Sequence, residues 1–123
     1  MSREEKLKKD YHRILQKWRE ALDQPKNEYH RDAAILRFEL VYEVAWKLIQ
    51  LLAQKEGYDA ESPRQAFQQA FTLGWTSDEV IWSDIIEARN IATHVYREEY
   101  AEELYNQLHT YYKAFQELYE NVK

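Results

Sequence analysis

Ten residues, Glu87-Ala-Arg-Asn-Ile-Ala-Thr-His-Val-Tyr96, bring together a guanidinium, an amide, an imidazole and a phenol: Arg89, Asn90, His94 and Tyr96. Arginine grips a phosphate with two parallel donors, and histidine moves a proton near neutral pH. Metal-free RNA cleavage needs a base for the 2′-hydroxyl proton, an acid for the leaving oxygen and cations for the phosphorane. One histidine does not serve as base and acid in the same step. A two-fold dimer would supply a second His94 and a second Arg89 across a shared cleft. Read as an enzyme, the motif therefore implies a homodimer with the motif helices face to face. Read plainly, these are solvated or locally bonded residues of a helix.

The spacing tells where such residues would point. On a helix, Trp82, Ile86, Arg89, Thr93 and Tyr96 form one stripe, three or four apart. Ser83, Glu87, Asn90 and His94 form the next. Ile81, Ile85, Ala88, Ala92 and Val95 form an apolar seam that would face a core. If the helix continues through residue 96, Tyr96 stacks near Arg89.

The elements that must hold this helix follow from periodicity. Residues 3–22 read as an amphipathic helix with Leu7, Tyr11, Ile14, Trp18 and Ala21 on one side. Pro25 breaks the chain. A helix over residues 28–56 follows, apolar nearly all round between Ala33 and Leu52, so it must be covered on most sides. Glu39, Glu43 and Lys47 are its polar remainder, and Gly57 ends it. Ser62-Pro63 starts a short helix burying Ala66, Phe67, Ala70 and Phe71, with Gly74 as its stop. Thr76 and Glu79 have the spacing of a capping box that would open the motif helix. Residues 98–121 form the last helix, with Leu104, Leu108, Tyr111, Phe115 and Leu118 inward. Tyr105, Tyr112 and Tyr119 flank them, as a core edge or, alternatively, a subunit interface. The expected architecture is all-α: an up-and-down four-helix bundle with an additional short helix, one domain over residues 1–123.

Composition narrows the function classes. The chain has 123 residues and no cysteine, which removes disulfides and thiolate metal sites. Two glycines and two prolines argue against a turn-rich β protein. There is no glycine-rich phosphate loop, no serine-centred elbow and no His-x3-His pair. His12, His30, His94 and His109 are scattered, and Asp84 with Glu87 reads as a solvated pair, so no metal and no cofactor is expected. No apolar run has the length of a membrane span and the start is unlike a signal peptide, so a cytoplasmic protein is the default. The net charge of −5 disfavours broad nucleic-acid binding. It is uneven: residues 1–31 hold nine Lys/Arg against six Asp/Glu, while the remainder carries a net −8.

The residues also resemble a known family. Arg89-x4-His94 followed by Tyr96 is similar to the motif of the HEPN superfamily. Three blocks resemble its nucleotidyltransferase substrate-binding branch: Arg37-Phe-Glu-Leu-Val-Tyr-Glu-Val-Ala-Trp-Lys-Leu48, Ser62-Pro-Arg-Gln-Ala-Phe67 with Ala70-Phe71, and Trp82-x6-Arg89-Asn90. The resemblance implies a helical homodimer that forms a complex with a minimal nucleotidyltransferase. In related toxin–antitoxin pairs it implies a metal-independent ribonuclease with Arg89 and His94 in the dimer cleft. Asn90 would support that site, and AMP transfer to Tyr96 would silence it. The alternative it implies is a non-catalytic subunit that binds a nucleotide or other substrate for its catalytic partner. RNA or a nucleotide is the expected ligand.

Overall fold

A computed structural model describes residues 1–123, and the chain is helical with no strand. The helices are α1 (Arg3–Leu22), α2 (Glu28–Lys55), α3 (Pro63–Thr72), α4 (Glu79–Ile91) and α5 (Glu98–Val122). A single 3-10 turn, Ala92–His94, follows α4. The ends are set by local chemistry. Ser2, Asn27, Ser62 and Asp78 each accept a hydrogen bond from an amide of the first turn they precede. Gly57 and Gly74 take positive φ just beyond α2 and α3, where a side chain would be strained.

Asp78, not Thr76, caps α4, which corrects the expected capping box. The reason is tertiary. Glu117 of α5 takes both the amide and the hydroxyl of Ser77, and Thr76 is drawn into the interior with its hydroxyl unpartnered. Phe71, expected inside, is partly exposed.

Contacts fix the directions. Lys55 pairs with Glu4, so α2 returns along α1. Arg31 meets Glu98 and Glu102 while Phe38 meets Tyr111 and Phe115, so α5 runs parallel to α2. Phe67 stacks on Trp82 while Arg64 pairs with Glu87, so α4 returns along α3. Four helices thus alternate in direction, and α3 lies in the crossover from α2 to α4. This is the expected all-α bundle. The starts of α2 and α5 and the end of α4 share one end of it.

The core is aromatic and centres on Phe115 of α5. Its ring touches Trp18 of α1, Phe38 of α2, Phe67 of α3 and Trp82 of α4, at centroid separations of 4.8–6.5 Å. The Tyr11 hydroxyl donates to the Phe115 carbonyl at 2.6 Å. The tyrosine row of α5 belongs to the edge of this core: Tyr105 is buried, Tyr112 packs on Trp18 and Tyr119 on Tyr11.

Phe115→Ala should cost about 3–5 kcal/mol, measured by urea unfolding, because one truncation opens the packing of all five helices. A second test concerns Arg31, which is 5% exposed. Its guanidinium donates to both oxygens of Glu98, to Glu102 and to Asp32. These bonds hold the Glu98 carboxyl below its usual range, and Lys26 and then Arg31 do the same for Glu102. Their stabilisation is complete above the unfolded carboxylate value, about 4.3, and is lost as pH falls through the lower folded values. Unfolding followed between neutral and acid pH should show a shallower acid loss in Arg31→Met than in the native chain.

Candidate functional site

Trp82, Ile85, Ile86 and Ala88 anchor α4 in the core. Two neighbouring stripes of this helix are therefore buried, not one, and Arg89 follows Trp82 and Ile86 inward. Its side chain lies against α2, with Nη1 3.6 Å from Glu39 and Nη2 3.9 Å from Glu43. These are ion pairs beyond hydrogen-bond length, and Arg89 Nε is buried without a partner. Glu43 is itself fixed by the Trp46 indole at 3.1 Å. Burial raises the Glu39 carboxyl above its ordinary value; Arg89 opposes that rise and Glu43 adds to it. Burial, with Glu43 adjacent, pushes the Tyr42 phenol up to about 12.

The α-helix stops at Ile91, so the extension through residue 96 does not hold. The chain tightens into the 3-10 turn, then a turn at Val95 and Tyr96, and Arg97 is extended before α5. The Thr93 hydroxyl donates to the Asn90 carbonyl and the Arg97 amide to the His94 carbonyl. Tyr96 consequently leaves the Arg89 stripe. It is 76% exposed, with its ring 6.3 Å from the His94 ring. Asn90 and His94 are exposed on the outer face.

The structure therefore divides the four motif residues. His94 and Tyr96 share an open cleft of about 500 Å³ with Ile91, Arg97 and Tyr100. Arg89 is outside that cleft, balanced by two carboxylates. Arg97 lies over the Tyr96 ring at 5.8 Å and makes no ion pair. Sequence reading missed Arg97 and Tyr100, although Tyr100 stands four residues after Tyr96 and Arg97 follows it directly. It also took Glu39 and Glu43 as helix surface. No group of three or more His, Asp or Glu side chains is placed to hold a metal ion.

This architecture has known counterparts. A sequence model of the family described as nucleotidyltransferase substrate binding protein like matches residues 4–123. A protein of known crystal structure from Thermus thermophilus is similar with a TM-score of 0.84 at 26% identity, over 92% of this chain and 98% of that one. HI0074 from Haemophilus influenzae, described as revealing the fold of a substrate binding domain of a nucleotidyltransferase, is similar with a TM-score of 0.77. It is 22% identical over 97% of this chain and 98% of its own, a likeness of fold. No curated protein matches the chain in sequence.

The Arg89 ion pairs have a direct test. Arg89→Gln should move the Glu39 titration further up, since burial and the Glu43 charge then act unopposed, whereas Glu43→Gln should move it down. Carboxyl-carbon NMR titration reads both; an unchanged Glu39 in Arg89→Gln would separate the two groups electrostatically.

Proposed function

The chain belongs to the nucleotidyltransferase substrate-binding-protein-like family, and from that premise we propose that it is the non-catalytic subunit of a two-component nucleotidyltransferase. In this reading it holds a nucleotide or acceptor substrate for a partner that performs the transfer. The cleft of Ile91, His94, Tyr96, Arg97 and Tyr100 is the binding surface. One observation carries this: the cleft offers two phenol rings, an imidazole and the unpaired guanidinium of Arg97, while Arg89 is already neutralised by Glu39 and Glu43. Aromatic faces take a base by stacking, and a guanidinium takes a phosphate. The position of the cleft at the exposed α4–α5 turn leaves it open to a partner protein.

A second reading is the ribonuclease half of a toxin–antitoxin pair, acting through Arg89 and His94 with Asn90 in support. The exposure of Tyr96 favours it, since a modifying nucleotidyltransferase could reach that phenol. AMP on Tyr96 would set a bulky anion beside His94 and Arg97, closing the cleft to RNA. This reading needs a homodimer, with His94 of two copies in one cleft, and it needs Arg89 released from the α2 carboxylates.

The test uses protein purified without a partner, in EDTA, with ATP in one arm and total RNA in the other. ATP binding by calorimetry, weakened about tenfold by Tyr96→Ala or Arg97→Ala as expected for loss of one stacked ring or one phosphate contact, supports the binding subunit. RNA ends carrying 2′,3′-cyclic phosphate, absent with His94→Ala, would establish the ribonuclease instead. Sedimentation of the same sample decides the dimer.

A further inference from the structure

On the other side of Ile91 from the Tyr96 cleft, α4 and α5 enclose a second groove of about 290 Å³. Its banks carry acid from both helices, Asp84 and Glu87 from α4 and Glu103 from α5. Glu87 is committed to Arg64 at 3.2 Å, whereas Asp84 and Glu103 make no ion pair within the chain. Its apolar lining is Ala88, Ile91, Leu104 and the ring of Tyr111.

Acid on a helical surface is ordinarily just solvated. Tyr111 makes this groove different. It is only 7% exposed, and its ring packs against Phe38 at 6.0 Å on the core side. Yet its hydroxyl makes no hydrogen bond within the chain, and it is not among the polar atoms sealed from solvent. The Tyr11 hydroxyl, sealed in the core, is partnered by the Phe115 carbonyl. The phenol of Tyr111 instead lines the groove, close enough to Asp84 that the carboxylate adds to burial in raising its pKa. A phenol held protonated beside a carboxylate presents two acceptors on one side of the groove, with Glu103 presenting another from α5.

We propose that the α4–α5 groove binds a short aliphatic diamine or polyamine. Asp84 and the Tyr111 oxygen accept from one ammonium group, and Glu103 from another. The connecting methylenes cover Ala88, Leu104 and the Tyr111 ring. Gln107, also in the lining, has an amide oxygen for a remaining N–H. Two features select this class. Unpaired carboxylates on two different helices suit a ligand with two cations, one for each acid. The apolar strip between them suits methylenes, which a hydrated metal ion does not supply. The site needs one chain only and does not rest on the proposed nucleotide cleft.

Spermidine is the probe, titrated calorimetrically into the full chain at low salt. Saturable one-site binding is expected, weakened about tenfold by Asp84→Asn and by Glu103→Gln, as for loss of one charged hydrogen bond, and severalfold by Tyr111→Phe. Glu20→Gln, at an exposed position of α1 outside the groove lining, should bind as the native chain does, and 1,4-butanediol should not bind. Circular dichroism verifies that each variant is folded. An absence of spermidine binding overturns the site. So does a loss as large in Glu20→Gln as in Asp84→Asn, which would mean diffuse attraction to an acidic protein. Native-like binding by Asp84→Asn and Glu103→Gln overturns it equally.

Discussion

Every helix of this protein meets the others at the ring of Phe115. Trp18, Phe38, Phe67 and Trp82 arrive there from α1, α2, α3 and α4, and Tyr11 ties the Phe115 backbone from the side. The constraint behind this is α2, whose apolar circumference has to be covered on several sides. A chain of this size has little core to spare, so large rings at one crossing are an economical way to remove area from water. The consequence reaches the functional end. Because Trp82 is committed to the Phe115 cluster, the rotation of α4 is fixed, and Arg89, two turns later, is directed towards α2 instead of outward.

The same rotation explains why the motif is split. Ala88 and Ala92 are buried at the end of α4 and Ala101 near the start of α5, so the intervening chain has to reverse between fixed points. A continuing α-helix would carry Tyr96 onward along the α4 axis, away from α5. The 3-10 turn and the extended Arg97 make the reversal instead. Glu98 and Glu99 then start α5, where negative charge suits the helix dipole, and the Arg31 bonds hold that start to α2. His94 and Tyr96 are thus surface residues of a reversal whose two ends are anchored.

Much of the fold was legible in the sequence because its signals are local. The periodicity of α1 and α5, the Ser62-Pro63 start and the glycines after α2 and α3 each act within a turn of the chain. What escaped sequence reading depends on contacts between distant segments. Thr76 and Glu79 satisfy the capping-box spacing, but Glu117, forty residues on, takes Ser77 and leaves Asp78 to cap. Glu39 and Glu43 look like an ordinary exposed i, i+4 row until α4 delivers Arg89 to them. Spacing alone placed Arg89 and Tyr96 on one stripe because it could not show where the helix would stop. The unpartnered hydroxyl of Tyr111 has no sequence signature at all.

The acidic balance bears on any anionic ligand at the Tyr96 cleft. A phosphate there meets Arg97 directly, but Glu99 and Glu103 follow within two turns without an ion-pair partner, and acid within about 8 Å opposes an anion at physiological salt. The acidic groove borders the same cleft through Ile91. A bound polyamine would therefore do more than fill its own site. By neutralising Asp84 and Glu103 it would remove repulsion felt by a phosphate on the far side of Ile91, and the two ligands would favour one another. Linkage makes that coupling reciprocal, so a nucleotide in the cleft would tighten the amine by the same factor. The charge pattern that argues against a nucleic-acid binder acting alone is then compatible with an anion site that works in company with a cation.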